Sequence, residues 1–134
     1  MQEYENIENF FLDMDLPYEQ LDEGMWVIMS PNLGNLVVYV TGTALSFRVK
    51  LFEFTEDSSA LYRRLLELNA TEMVHGAYGI EDNAVVIVDS LELEHLDANE
   101  FRATIESIGL AMTSHYPVLS ALISSSEPTP EEAS

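Results

Sequence analysis

The sequence predicts an α+β domain in which helices pack mainly on one face of an antiparallel sheet. Apolar residues recur at helical spacing in three stretches, near each end of the chain and once in the middle. The stretches between them alternate between apolar and polar residues or run continuously apolar, as strands do. Turn residues join these strands over only a few positions, which favours antiparallel neighbours. The predicted order of elements is αβββαββα.

The first helix is expected at about residues 2–14. Its apolar residues recur on one side of the helix, and Pro17 provides a stop. Three strands are expected next, at about residues 25–29, 36–40 and 45–52. Short turns that contain glycine separate these strands, which is typical of hairpins.

The third strand shows the clearest alternation in the chain. One side carries apolar residues and the other carries polar ones: Leu45, Phe47, Val49 and Leu51 against Ser46, Arg48 and Lys50. This pattern predicts one buried sheet face and one face in water. The first two strands are more uniformly apolar, so part of the second face is expected to be covered as well. Self-association would cover it, and we therefore expect a homodimer.

A second helix is expected to end near Asn69. Its apolar stripe consists of Leu61, Leu65 and Leu68. Three residues can cap its start: Asp57, Ser58 and Ser59. A second hairpin follows, in which a short strand after Gly76 pairs with a nearly continuous apolar strand at 84–88.

The last predicted element is a long helix that begins after Asp97. Its apolar side consists of Phe101, Ile105, Ile108, Met112, Tyr116 and Leu119. Pro117 is expected to kink or interrupt this helix, because proline lacks the backbone N–H. Residues 125–134 contain Glu and Pro but no aromatic residue. We therefore expect a single domain of residues 1–124 and a disordered acidic tail of residues 125–134.

The charge of the chain limits its partners. It has 24 acidic and 5 basic residues, which gives a formal net charge of −19. So few cations argue against nucleic acid as a ligand, and the negative field opposes approach to anionic lipid surfaces. A basic polypeptide is attracted by the same field, so a protein partner is expected. The alternative is that the charge only keeps an apolar protein dispersed.

The chain contains no cysteine, which excludes disulfides, thiolate catalysis and zinc sites built on sulfur. Its first residues carry acids where a secretory signal needs basic residues, and its longest apolar runs are far shorter than a membrane span. We therefore expect a cytoplasmic protein that does not enter a membrane.

No pattern in the sequence predicts catalysis. The three histidines, His75, His95 and His115, lie in different predicted elements and form no metal-binding spacing. Acidic clusters such as the one at residues 81–83 lack the length and closing Glu of a calcium loop. We therefore expect no catalytic residue, cofactor or metal. An enzyme that uses clustered carboxylates and a divalent metal stays open as an alternative.

Aromatic and methionine side chains in the first helix and first predicted strand are the candidates for contact with a partner. Methionine repacks easily, and tryptophan is favoured at interfaces. The candidates are Tyr4, Phe11, Met25, Trp26 and Met29. Successive side chains of a strand point to opposite faces of the sheet, so alternate residues lie in the core and only the others are available to contact a partner.

Four segments carry a resemblance to a known family: residues 65–69, 76–80, 84–88 and 91–96. Together they give a helix that ends in a Leu-Asn pair, a glycine-bearing strand, a hairpin and a leucine-rich connection before a long helix. This arrangement resembles the YbjN family and the wider group of type III secretion chaperone-like domains. The step from Tyr116 to Pro117 also suits the YbjN pattern.

The resemblance implies a chaperone-like fold, often dimeric, and offers no catalytic residue to transfer. Secretion chaperones are small acidic proteins that hold an extended segment of an effector, so the resemblance implies a non-enzymatic module that holds a segment of a partner. YbjN-like proteins are instead regarded as regulators, which implies a folded protein partner as the alternative. Pro117 and the tail depart from the usual secretion-chaperone pattern.

Overall fold

The computed structural model describes residues 2–126, and the side chains of residues 4–123. These residues form an α+β fold with the order αββββαββα. The helices are α1 (Gln2–Asp13), α2 (Ser59–Thr71) and α3 (Ala98–Ser126). The strands are β1 (Tyr18–Asp22), β2 (Met25–Ser30), β3 (Gly34–Thr41), β4 (Ala44–Glu53), β5 (Ala77–Glu81) and β6 (Ala84–Glu92).

The six strands form one antiparallel sheet in the order β1-β2-β3-β4-β6-β5. Core residues of adjacent strands lie directly opposite one another: Trp26 lies opposite Val38, and Val38 lies opposite Phe47. Farther along, Val49 lies opposite Ile87. These side chains are buried on one face of the sheet. The alternation predicted for the third strand is therefore confirmed in β4.

The helices cover that one face, as predicted. The ring of Phe101 in α3 packs against the rings of Phe10 and Phe11 in α1 and against Phe47 in β4, at centroid distances of 5.3, 5.6 and 5.8 Å. The leucine stripe of α2 is buried in the same cluster. Aromatic groups in such contacts contribute a large share of core stability.

Two of the predicted helix starts are confirmed by their caps. The Ser58 hydroxyl accepts a hydrogen bond from Leu61 N at 3.1 Å. At α3, Asp97 and Glu100 bond reciprocally through backbone N–H and side-chain oxygen, at 2.8 and 3.3 Å. Both arrangements satisfy backbone donors that a helix start leaves unpaired.

Two elements differ from the sequence prediction. The sequence did not predict strand β1, because the residues of this strand are mostly polar and exposed. The strand lies at the edge of the sheet and pairs with β2. Helix α3 runs through Pro117 without interruption. The ring of Tyr116 contacts Phe52 at 5.9 Å and Leu119 is fully buried, so packing on both sides of the proline offsets its missing hydrogen bond.

The end of the chain leaves one prediction open. Ser125 and Ser126 form the last turn of α3, whereas residues 127–134 lie outside the described residues. The division into a domain of residues 1–124 and a tail of residues 125–134 therefore stays a prediction. Within residues 2–126, no helix is both long and apolar enough to cross a membrane.

Candidate functional site

The face of the sheet opposite the helices carries a set of apolar side chains. They project from the strand positions that alternate with the core residues. We call this surface the open face and define it by Met25, Val27, Met29, Val37, Tyr39, Arg48, Lys50, Val86 and Val88. Most of these side chains are half-buried, and Met29 is 44% exposed.

The register brings these residues into rows that cross the sheet. Val27 lies opposite Val37, Val37 opposite Arg48, and Arg48 opposite Val88. In the adjoining row, Met25 lies opposite Tyr39. The β2–β3 half of the open face is therefore apolar, and the outward positions of β4 interrupt it with basic side chains.

Arg48 and Lys50 hold ion pairs at the surface. Arg48 Nη1 lies 2.6 Å from Glu81 Oε2, and Lys50 Nζ lies 2.6 Å from Glu53 Oε2. A side-chain hydrogen bond with Tyr39 raises the pKa of Arg48. The two ion pairs line a shallow depression of about 300 Å³ together with Val37, Asp82 and Val86. It can accept a side chain from another polypeptide.

The two edges of the sheet differ in accessibility. At the β5 edge, the Asn69 carboxamide pairs with both backbone groups of Tyr78: Asn69 Nδ2 donates to Tyr78 O at 3.1 Å, and Tyr78 N donates to Asn69 Oδ1 at 2.7 Å. The side chain thus takes the place that a neighbouring strand would take and blocks this edge at its centre. Strand β1 forms the other edge and has a sheet neighbour on one side.

Replacing Asn69 by alanine is expected to lower the free energy of unfolding by about 2–3 kcal/mol. The substitution removes two hydrogen bonds and leaves the N–H and C=O of the buried Tyr78 without partners. Urea unfolding followed by circular dichroism measures the change. Asn99→Ala, at an exposed position of α3, is the control and should change stability by less than about 0.5 kcal/mol. Equal losses for the two variants would contradict the role of Asn69.

The predicted contact residues divide between the two sides of the sheet. Trp26 and Phe11 are fully buried in the core, so the structure does not support them as contact residues. Strand alternation is the reason for Trp26, which points toward the helices while its neighbours in β2 point away. Phe11 lies on the side of α1 that packs against Trp26. Met25 and Met29 lie on the open face, where partner contact stays a prediction.

Tyr4 lies where α1 packs against β2. It is half-buried on α1, and its ring meets the edge of Trp26 at a centroid distance of 5.9 Å. It also covers Gly24, where an added Cβ would lie 3.1 Å from the Tyr4 hydroxyl and φ is +72°. The prediction that Tyr4 touches a partner is untested.

Sequence reasoning missed several residues of the open face, namely Val27, Val37, Tyr39 and Arg48. A signal for Val27 was present, because it lies between Met25 and Met29 on the same side of a strand. The alternation of β4 predicts only that Arg48 lies on a face in contact with water. Its contact with Tyr39 depends on the pairing of β3 with β4, which the sequence does not specify.

On the helix side, His115 forms a polar contact with Tyr78. The Tyr78 hydroxyl lies 2.7 Å from His115 Nδ1. Burial raises the pKa of Tyr78 well above its ordinary value, so the hydroxyl keeps its proton. The imidazole tautomer sets whether this hydroxyl donates to Nδ1 or accepts from it. Burial lowers the pKa of His115; the Glu72 carboxylate opposes this shift, and Arg64 adds to it.

Acidification is therefore expected to destabilise the fold through His115. Because its pKa is lower in the folded state, the unfolded chain binds the proton more readily, and stability falls as pH drops from about 7 through the lowered pKa. The difference in urea midpoint between the wild type and His115→Gln, measured from pH 7.5 to pH 5, isolates this contribution from those of the carboxylates. A difference that does not vary with pH would contradict it.

Among residues 2–126, no three side chains of the His, Cys, Asp or Glu types come together as a metal site. His95 Nε2 lies 3.3 Å from Oε1 of the neighbouring Glu94, and both side chains are exposed.

Comparison with known proteins finds one family model and several solved structures that match the chain. The family model CesT_Tir_1 matches residues 1–125. No curated protein sequence matches the chain. The fold is similar to that of a chain in the heterodimeric ExoU–SpcU complex from the type III secretion system of Pseudomonas aeruginosa, with a TM-score of 0.67 and 14% identity. The match covers 92% of this chain and 99% of that chain.

Two further solved structures share the fold. A chain of the HopA1–SchA chaperone–effector complex matches with a TM-score of 0.65 and 14% identity, over 86% of this chain and 94% of that chain. YbjN from E. coli matches with a TM-score of 0.65 and 11% identity, over 86% and 92% of the two chains. The resemblance inferred from the four sequence segments is therefore confirmed.

Proposed function

This chain belongs to the CesT_Tir_1 family of type III secretion chaperones, and from that membership we propose that it holds a segment of a partner polypeptide on its open face. The segment is bound without being chemically altered, since the family acts by binding. The HopA1–SchA structure, which shares the fold, is a complex of a chaperone with its effector.

The observation that carries this proposal is the apolar half of the open face. In the described part of the chain, the three helices pack on the other face of the sheet. Met25, Val27, Met29 and Val37 are thus left partly in water. Removing such side chains from water stabilises a complex by about 25 cal/mol for each Å² of apolar surface buried. Methionine side chains also adapt to differently shaped ligands.

The negative charge supports the same function in a second way. A net charge of −19 attracts basic segments over distances beyond direct contact and opposes nonspecific aggregation of the chain. A chaperone must keep an apolar segment from aggregating, and a highly charged carrier does so. We place the protein in the cytoplasm, where a polypeptide awaiting export would be held.

The proposal is tested by purification from the native host at native expression level. The expected result is a stoichiometric protein partner, of which a short segment survives limited proteolysis of the complex while the rest is digested. Absence of a stoichiometric partner would contradict the proposal.

The structural likeness to YbjN favours one alternative, a regulator that binds a folded partner. Limited proteolysis separates the two functions, because a folded partner would be protected as a whole domain.

We further propose a homodimer formed through α2 and the adjoining edge of β5. Leu66 of α2 is 69% exposed and Ile80 of β5 is 46% exposed, and both line a depression beside Tyr62. Because Asn69 occupies the backbone groups of Tyr78, the contact would form through side chains rather than by pairing of two β5 strands. Apolar patches of this kind favour self-association.

Leu66→Glu is therefore expected to convert a dimer into a monomer. The substitution places a charge in the contact at a position that is already exposed in one chain, so folding should be unaffected. Light scattering should give about twice 15.1 kDa for the wild type and about 15.1 kDa for the variant. Leu110→Glu, at a 67% exposed position of α3, is the control and should remain dimeric. A monomeric wild type at micromolar concentration would refute the homodimer.

A further inference from the structure

The sulfur atoms of this chain are all thioethers, because it contains six methionines and no cysteine. Three of the methionines, Met14, Met73 and Met112, pack against the core. Met25 and Met29 lie outside that core, on the open face, and Met29 is 44% exposed. It is the most exposed methionine among the described side chains. The open face therefore holds the thioether that a reagent in solution reaches most easily.

We propose that oxidation of Met25 and Met29 to methionine sulfoxide is a reversible switch that lowers the affinity of the open face for its bound segment. This inference rests on the proposed function and adds a means of regulating it. The oxidant is hydrogen peroxide, which transfers one oxygen atom to the thioether sulfur. An S–O bond forms, the O–O bond breaks and one water molecule leaves, so the sulfur loses two electrons and the peroxide gains them.

The two methionines lie at the two ends of the apolar stripe of β2. Residues four apart on a strand are about 13 Å apart on the same side of the sheet, and Val27 lies between them. Met25 lies opposite Tyr39, and Met29 lies opposite Asn35. A polypeptide segment with its side chains is about 10 Å across, whether helical or extended. One that covers Val27 therefore contacts both methionines.

Oxidation changes the chemistry of this stripe and leaves its backbone as it is. The thioether is apolar and flexible, which suits it to contact with the apolar side chains of a segment. The sulfoxide is polar and binds water, and a bound apolar segment would remove that water. In the free chain the side chain of Met29 stays in water in either form, so folding should be unaffected. The cost of oxidation therefore falls on the complex.

The placement of the methionines also makes the change selective and reversible. Oxidation of a core methionine would put a polar group among apolar side chains and disrupt the fold, but Met73 and Met112 are shielded by their packing. Methionine sulfoxide is reduced by two enzymes, one for each epimer at sulfur. A reductase must reach the sulfoxide, which the exposure of Met29 allows.

Site-resolved oxidation of the purified chain tests this selectivity. The chain is treated with hydrogen peroxide, and peptide mapping by mass spectrometry follows the sulfoxide at each methionine. Met29 should be oxidised first, at least about tenfold faster than the packed controls Met73 and Met112. Equal rates at the three positions would overturn the inference. In the purified native complex, the bound segment should slow oxidation of Met29 at least about fivefold, because it covers the side chain.

Calorimetry with a synthetic copy of the segment that survives proteolysis of the native complex measures the effect on binding. Oxidation of the wild type should weaken binding about fivefold to twentyfold, and treatment with both sulfoxide reductases should restore it. The matched control is Met25→Leu with Met29→Leu, which keeps apolar side chains of similar size but no thioether on the open face. Its affinity should match that of the untreated wild type and change less than about twofold after peroxide treatment.

An oxidised wild type that binds the segment as tightly as the untreated chain would overturn the switch and leave the proposed function standing. Equal losses for the wild type and the double leucine variant would also overturn it, because the effect would then come from a methionine outside the open face. If the untreated chain does not bind the segment, or the segment does not protect Met29, the open face is not the polypeptide site and the proposed function itself is contradicted.

Discussion

Replacing Trp26 by alanine is expected to lower the free energy of unfolding by about 3–5 kcal/mol. Trp26 is fully buried on the helix-covered side of β2, where its ring makes T-shaped contacts with the rings of Tyr4 and Phe11 at centroid distances of 5.9 and 5.7 Å. Its indole Nε1 donates a hydrogen bond to Glu8 Oε2 at 2.9 Å. The truncation therefore leaves a large cavity and a carboxylate without its donor.

Urea unfolding followed by circular dichroism measures this loss, since Trp26 is the only tryptophan and fluorescence would vanish with it. Met29→Ala in the same strand is the matched control, because Met29 is 44% exposed and should lose less than about 1 kcal/mol. If Trp26→Ala lowered the free energy of unfolding by no more than Met29→Ala does, the Trp26 ring would not lie in the core, and a role in partner contact would regain support.

Replacing Val27 by aspartate is expected to weaken partner binding at least tenfold. Val27 lies in the apolar half of the open face, opposite Val37 on one side and Glu19 of β1 on the other. A bound segment would have to cover the new carboxylate and remove its water, and no cation lies directly opposite it to compensate. The folded chain itself keeps the side chain half-exposed, so the effect on folding should be smaller.

Calorimetry with the segment that survives proteolysis of the native complex provides the affinity. Val27→Ser removes the apolar contact without adding a charge and should give an intermediate loss, which separates binding from misfolding. Leu110→Asp is the control, since Leu110 is an exposed leucine of α3 on the helix side. Comparable losses for Val27→Asp and Leu110→Asp would contradict the location of the site.

Much of the fold follows from periodicity in the sequence, since strong periodicity reflects burial. The alternation of β4 predicted which of its faces is buried, and Ser58 and Asp97 marked helix starts that the caps confirm. Strand β1 escaped prediction because it is polar and lies at an edge, so burial imposes no pattern on it. Pro117 was expected to interrupt α3, but the helix continues through it, because packing of the neighbouring Tyr116 against Phe52 outweighs the tendency of proline to break a helix.

The site was less predictable because it depends on which strands pair. Alternation alone separates Trp26 from Met25 and Met29 but does not say which set faces the helices. The bonds of Asn69 to Tyr78 join a helix end to a strand nine residues away. Only the fold shows that Asn69, part of the Leu-Asn pair that carried the family resemblance, protects a sheet edge.

Site-specific photo-crosslinking in the native host tests the central claim most directly. A benzophenone amino acid would replace Met29 on the open face or Leu110 on the helix side, two exposed apolar positions on opposite sides of the molecule. The account predicts that the probe at Met29 captures one short segment of a single polypeptide, identified by mass spectrometry, and that the probe at Leu110 does not. Capture of the same segment from Leu110, with none from Met29, would contradict it.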